Sequence, residues 1–191
     1  MSLFFKIILC APTITVLDGS AQAQQQPPFA TTKVDGTDNV YVFRYGGAQA
    51  MFVVTKEGVI ATDPISYGRP QAATTYLEEI KKVTNQPVRY MIYSHHHFDH
   101  IAGGKPFKDA GATFIAHKRA KDRLEQLKDP YTVIPDETVD TNRTITLGGT
   151  TLELTNLGLN HSDSTLVMRC RRRESFSPSI GCRSDHYQGA A

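Results

Sequence analysis

Six consecutive positions of this chain carry four histidines and one aspartate, since residues 95–100 read HHHFDH. Imidazole nitrogens are frequent ligands of Zn²⁺ and must converge to about 2.1 Å from the ion. Alternate side chains of an extended segment point the same way, so His95 and His97 can hold one metal ion together. Asp99 and His100 follow a bend and can face a second ion, because carboxylate and imidazole suit a hard-to-borderline metal. The spacing therefore predicts a metal site.

The remaining histidines are weaker candidates when taken singly. His161 lies in NHSDST, a turn between two expected strands that could return it to the same sheet edge as a third ligand of the first ion. His96 points away from its neighbours and suits a supporting or surface position. His117 ends one strand and opens a helix, which favours a polar helix start. An adventitious histidine run or an expression tag is the alternative, but a tag lies at a terminus and not after an apolar strand.

Two metal ions in this loop would indicate hydrolytic chemistry. They lower the pKa of a shared water toward neutrality, and they polarise the carbonyl or phosphoryl oxygen under attack. Gly103 and Gly104 follow the loop and lack side chains, which would let the backbone pack closely against the site.

The elements that position this loop predict a mixed α/β domain. Strand and helix patterns alternate between residues 58 and 128, which indicates an α/β arrangement. Strand pairs on either side make the sheets mixed rather than parallel. The expected strands are 39–47, 48–56, 58–64, 88–94, 112–117 and 164–169, with helices within 68–87, 103–111 and 118–129 and a hairpin at 137–158 around Gly148-Gly149.

Composition and charge limit the function classes. A length of 191 residues suits one domain, and a net charge of +2 favours neither nucleic acid nor an anionic membrane as partner. Residues 1–23 carry an early lysine, an apolar stretch and AQA, which predicts a cleaved signal peptide and a periplasmic or secreted protein. Residues 24–32 are expected to form a flexible lead-in. Three cysteines do not make a disulfide framework.

HHHFDH matches the H-x-H-x-D-H signature of the metallo-β-lactamase superfamily, and residues 33–169 resemble the N-terminal part of that family. The resemblance implies an αββα sandwich with a dinuclear zinc site at the sheet edges. GVIATDP resembles the strand that ends in an aspartate, which makes Asp63 a structural partner of the metal loop. LNHSDSTLV resembles the segment that supplies the third histidine. By resemblance, one zinc is bound by His95, His97 and His161, and the other by Asp99 and His100, with Asp99 also orienting the nucleophilic water.

The resemblance stops at about residue 169. The family pattern continues with a strand bearing an aspartate that bridges the metals, and later with a final histidine. Residues 170–191 are polar and arginine-rich, and only Asp185 and His186 have suitable side chains, so an aberrant, disordered tail is expected. One set of GC-rich codons for residues 175–186, read from the third base, encodes LLAVDWLPIG, an apolar strand with an aspartate. A frameshift would explain this tail.

Three functions follow from these patterns. The first is an exported zinc-dependent hydrolase whose activated water attacks a small-molecule ester, thioester, lactone or lactam. The second is a non-catalytic, frameshifted remnant that binds at most one zinc ion. A metal-binding module without chemistry is a third. A nuclease is disfavoured because the chain is not basic enough and is expected to be exported.

Overall fold

A computed structural model describes residues 27–172. The expected signal peptide, the start of the lead-in, and Asp185 and His186 in the tail lie outside the described residues. Ten strands and four helices occur in the described part. The strands are β1 Phe29–Lys33, β2 Val40–Tyr45, β3 Ala48–Thr55, β4 Gly58–Thr62, β5 Val88–Ile92, β6 Thr113–His117, β7 Glu137–Val139, β8 Asn142–Leu147, β9 Thr150–Thr155 and β10 Val167–Arg172. The helices are α1 Ala72–Val83, α2 Phe98–Ile101, α3 Lys105–Asp109 and α4 Lys118–Leu127.

Two sheets contain all of these strands. The larger has seven strands in chain order, β1 to β7, with antiparallel pairing from β1 to β4 and parallel pairing from β4 to β7. The smaller is antiparallel, in the order β10-β9-β8. This arrangement confirms the expected mixed α/β class.

Alternation along the central strands produces two hydrophobic cores. Val59 and Ala61 of β4 face a cluster that contains the buried side chains of the helices, among them Tyr76 and Leu124. Ile60, between them, faces a second cluster that the smaller sheet shares. The larger sheet is therefore covered by helices on one face and by the smaller sheet on the other. Both faces of β4 are buried, which explains why its sequence is apolar at consecutive positions.

Helix α1 follows the spacing seen in the sequence. Ala73, Tyr76 and Ile80 are buried, while Leu77 and Val83 pack at the edge of the same core. Tyr76 stacks on Phe43 with ring centroids 4.5 Å apart and donates its hydroxyl to the carbonyl oxygen of Met51 at 2.7 Å. These contacts dock α1 on the sheet.

Two sequence-based boundaries need correction. Residues 29–32, expected in the flexible lead-in, belong to β1, because Phe29 packs on the helix-side core and Thr31 donates a hydrogen bond to the buried Glu79. Residues 170–172, expected in the aberrant tail, continue β10 along β9. Cys170 packs against the core between the sheets, whereas Arg171 faces outward and pairs with Glu153. Arg169 and Arg171 thus lie on the face of β10 opposite to Met168 and Cys170, which pack in the core.

The expected hairpin at 137–158 is correct around its turn and wrong at its start. Strands β8 and β9 pair on either side of Gly148 and Gly149, both of which have positive φ, at 52° and 85°. Glu137–Val139, however, is a separate strand that runs parallel to β6 in the larger sheet. The chain therefore crosses from one sheet to the other between residues 139 and 142.

Candidate metal centre

The candidate site lies where parallel strands β4 and β5 end. The chain passes from β4 directly into Asp63, and from β5 through Tyr93 and Ser94 into the histidines. The carboxyl ends of parallel strands meet at one edge of a sheet, and the crevice beyond that edge commonly binds ligands. The short helix α2 then begins immediately after His97, so that Asp99 and His100 turn back over the same edge.

His95, His97 and His161 come together at this edge. One ring nitrogen from each can be chosen so that all three lie within 4.8 Å of one another. The His161 ring centroid lies 5.0 Å from that of His95 and 4.9 Å from that of His97. His95 is buried and His161 is exposed, so the cluster opens to solvent on one side. Three imidazoles that converge in this way fit a Zn²⁺ ion with one open position.

His95 provides an independent test of that fit. Its Nδ1 lies 2.9 Å from the hydroxyl oxygen of Ser94. Its Nε2 is buried and has no hydrogen-bond partner among the described residues. A buried polar atom without a partner costs about 1–3 kcal/mol, and native structures contain few of them. A metal ion bound to Nε2 would give this atom a partner, so the residues at this site fit a metal ion.

The protonation state of His95 also suits a ligand. Burial, together with the neighbouring rings of His100, His97 and His161, lowers the pKa of this imidazole to about 4, against an opposing effect of Asp63. The ring is therefore neutral at pH 7, which is the form that binds metals.

Asp63 lies beneath the histidine loop and accepts three hydrogen bonds from it. Its carboxylate accepts the N–H of Ser94 at 2.8 Å and the hydroxyl of Ser94 at 2.6 Å. The Nδ1 of His100 lies 3.2 Å from the same carboxylate. Asp63 is 4% exposed and has a positive φ of 38°, a conformation that aspartate tolerates better than most residues. The side chain thus orients two residues of the loop.

His100 and Asp99 form the second half of the predicted site. The hydrogen bond with Asp63 raises the pKa of His100 above its ordinary value, against the opposing effect of burial. Its Nε2 lies 3.7 Å from Oδ2 of Asp99, and the side chain of Asp99 is 60% exposed. Among the described residues, Asp99 and His100 do not form a group of three potential metal ligands with any other aspartate, glutamate, cysteine or histidine.

His96 and His117 have other partners. The Nδ1 of His96 lies 2.8 Å from the hydroxyl of Ser164, and its ring lies 4.8 Å from that of His97 without belonging to the three-histidine cluster. His117 is buried and caps α4, where its Nδ1 accepts the N–H of Arg119 at 3.2 Å. The polar helix start expected for His117 is confirmed.

Sequence reasoning missed Ser94 and the ion pair that holds the segment around His161. Arg123 donates from both terminal guanidinium nitrogens to Asp163, at 2.5 and 2.8 Å. This pairing lowers the pKa of Asp163 to about 2. The only sequence signal was the polar run HSDS, from which it could not be predicted that Asp163 pairs with Arg123, 40 positions earlier.

Known proteins share this sequence pattern and this fold. A family model described as the metallo-beta-lactamase superfamily matches residues 44–174. A hydroxyacylglutathione hydrolase from Pelagibacter ubique is 38% identical over 53 residues, which are 27% of this chain and 20% of that protein.

Solved structures agree on the fold. A metallo-beta-lactamase from Pontibacter korlensis superposes with a TM-score of 0.63 at 23% identity, over 73% of this chain and 66% of that one. A subclass B3 metallo-beta-lactamase of Bradyrhizobium japonicum gives a TM-score of 0.62 at 24% identity, over 75% of this chain and 57% of that one. The chain therefore spans less than two thirds of the length of these relatives.

No helix among residues 27–172 is both long and apolar enough to cross a membrane. Taken together, the matched family model, the superposable sheets and the three converging histidines have one explanation, which is that this chain belongs to the metallo-beta-lactamase superfamily.

Proposed function

We propose that this protein is an exported, zinc-dependent hydrolase that acts on a small acyl compound such as an ester, thioester, lactone or lactam. The observation that carries the proposal is the buried Nε2 of His95, which has no partner among the described residues and lies in a cluster with His97 and His161. When bound there, zinc supplies Lewis-acid chemistry and makes hydroxide available near neutral pH.

The chain's own residues contribute positioning and proton handling. Asp63 fixes Ser94 and His100, and Ser94 in turn contacts the Nδ1 of His95. Asp99 exposes its carboxylate beside His100, so it can orient a water molecule and accept its proton at Oδ2. Because two of the three histidines reach solvent, a substrate can approach the cluster from the open side.

The substrate class is tested with a panel drawn from the relatives. One similar protein is named a hydroxyacylglutathione hydrolase and others are named metallo-beta-lactamases. The purified, zinc-loaded protein should hydrolyse at least one member of a panel of hydroxyacylglutathione, simple esters, lactones and β-lactams. Activity should disappear with a chelator and return with zinc. Zinc binding without turnover of any panel member would contradict the enzyme proposal.

A second candidate is a non-catalytic remnant that binds at most one zinc ion. It is favoured by the position of Asp99 and His100, which have no third metal-binding side chain grouped with them among residues 27–172. Turnover separates the candidates, because the hydrolase should act on at least one member of the panel, whereas the remnant should bind at most one zinc ion and act on none. The nucleotide sequence around codon 170 provides a second test, since a frameshift would leave an intact downstream frame.

A further inference from the structure

The segment that carries His161 is tied to helix α4. We name residues 156–166 the third-histidine loop. Asp163 of this loop forms a two-pronged ion pair with Arg123, with N–O distances of 2.5 and 2.8 Å. Arg119, one turn earlier in α4, donates to the carbonyl oxygen of Asp163 at 3.1 Å. Two arginines of α4 therefore donate hydrogen bonds to Asp163, which lies two positions after His161.

The same loop is tied to the histidine loop by a chain of short polar contacts. The Nδ1 of His96 lies 2.8 Å from the hydroxyl of Ser164, which is fully buried. The hydroxyl of Ser162 lies 3.0 Å from that of Ser164. A guanidinium nitrogen of Arg123 lies 3.4 Å from the Nδ1 of His96. Arg123 thus lies where the two histidine-bearing segments and α4 meet.

His161 depends on this framework for its position. Its ring is exposed, and it forms no hydrogen bond with any residue in the part of the chain that the structure describes. Its ring makes edge contacts with the rings of His95 and His97, but no hydrogen bond in the described part fixes its rotamer, so the position of the backbone on either side decides whether it stays near them. The backbone near it is held by Arg123, Arg119 and the buried serines.

We infer that Arg123 and Asp163 are positioning residues that hold His161 in place as a ligand of the first metal ion. The inference rests on the proposed zinc site, and it assigns the pair a role that an ordinary surface ion pair does not have. Exposed ion pairs contribute little to stability, about 0–1 kcal/mol. A bidentate arginine–carboxylate pair that is partly buried has a fixed geometry, and partners behind metal ligands commonly affect metal affinity.

The test uses the metal-free and cobalt-loaded forms of the full chain. The variants are Arg123→Met, Asp163→Asn and the double variant, with Arg123→Lys as the conservative change. Arg143→Met is the matched control, because Arg143 also pairs with a carboxylate, that of Glu137, but neither residue contacts the histidine loops. Amide hydrogen exchange is measured across residues 156–166 without metal, and Co²⁺ affinity and visible absorption are measured with it.

Arg123→Met and Asp163→Asn should each make residues 156–166 exchange roughly tenfold faster in the metal-free protein. Each should weaken Co²⁺ binding by roughly ten- to a hundredfold and alter the visible spectrum. The double variant should resemble the single variants, because both remove the same pair. Arg123→Lys should recover part of the affinity, and the control should match the wild type.

Unchanged exchange, affinity and spectrum in both single variants would overturn the inference. If Arg123→Met does not fold, Asp163→Asn decides, since it preserves side-chain size. If the wild type binds no Co²⁺ or Zn²⁺, the proposed function fails. Hydrogen exchange then still tests whether Arg123 and Asp163 hold the third-histidine loop: faster exchange in the variants supports this role, and unchanged exchange rejects it.

Discussion

Leu166 donates its backbone N–H to the carbonyl oxygen of Ser94 across 2.7 Å. This bond joins the end of the third-histidine loop to the residue just before His95. The two ligand-bearing segments are therefore connected through the backbone and not only through the side chains that would meet at a metal ion. Substitutions at the site can consequently be chosen to remove ligands without removing this connection.

His97→Ala should abolish tight zinc binding while leaving the fold intact. His97 is only partly buried, and its ring lies 4.5 Å from that of His95 in the cluster. Loss of one of three ligands should reduce zinc affinity by roughly a hundredfold or more. Competition with a chromophoric chelator measures the change. His117→Asn is the control, since asparagine also caps helices and His117 lies outside the cluster, so its zinc affinity should equal that of the wild type.

Asp63→Asn should weaken zinc binding without relocating the backbone. Asparagine tolerates the positive φ of 38° at this position, so the substitution removes the negative charge and keeps the backbone conformation. The amide that replaces the carboxylate cannot accept all the hydrogen bonds from Ser94 and His100. Zinc affinity should therefore fall by roughly ten- to a hundredfold. Asp63→Ala should lower zinc content further. Asp109→Asn, on the exposed side of α3, provides the comparison, and equal affinities in all three proteins would refute a role for Asp63.

Gly103→Ala should destabilise the protein and disturb the histidine loop. Gly103 has a φ of 80°, and an added Cβ would lie 2.3 Å from the Cβ of Ser66. Strain and overlap together should lower the free energy of unfolding by about 2 kcal/mol, measured by urea denaturation. Gly47→Ala is the matched control, because a Cβ there meets nothing within 4 Å. Equal stabilities for the two variants would contradict the close approach seen at Gly103.

Asp136 should make a pH-dependent contribution to stability. Burial opposes ionisation of this carboxyl, but hydrogen bonds from the Lys108 ammonium and the Phe114 N–H outweigh it and lower the pKa. A lowered pKa in the folded state means that the contribution is present above the ordinary value of about 3.9 and is lost as pH falls through the folded value. Wild type should therefore exceed Asp136→Asn in stability at pH 6, and the gap should shrink between pH 4 and pH 2.

Urea denaturation at several pH values measures that gap. Asp122→Asn, at an exposed position of α4, is the control, because it shows how much the loss of an ordinary surface carboxylate changes the free energy of unfolding. A constant gap between wild type and Asp136→Asn over the whole range would show that the charge of Asp136 is not responsible.

Local patterns in the sequence predicted the parts of the fold in which periodicity is unambiguous. The apolar spacing of α1, the apolar runs of β4 and β5, and the turn at Gly148-Gly149 each require only neighbouring residues to interpret. The assignment of Glu137–Val139 to the larger sheet was not accessible in this way, because a three-residue strand carries little pattern. Its partner residues in β6 also lie 22 positions earlier, as Ile115 does from Glu137. The alternation in β10 was obscured by its arginines, of which Arg169 and Arg171 lie on the face opposite to the core residues Met168 and Cys170.

The candidate site shows the same division. Alternation within HHHFDH brought His95 and His97 to one side, and the turn position of His161 indicated where a third histidine could return. The role of Asp163 could not be inferred, because its partner Arg123 lies on a helix whose placement depends on the whole sheet. Ser94 was missed because a serine after an apolar strand is common, and only its contacts with Asp63 and His95 distinguish it.

His96 and Ser162 touch across 66 positions of the chain, and the three clustered histidines span the same interval. A metal ion shared by His95, His97 and His161 would act as a covalent-like cross-link that closes this interval. In chain-entropy terms, a disulfide closing a loop of that size restricts the unfolded chain by roughly 4 kcal/mol. A bound metal ion would then stabilise this domain by restricting the unfolded chain, as a disulfide does in other proteins. The described residues contain a single cysteine and so cannot form a disulfide among themselves.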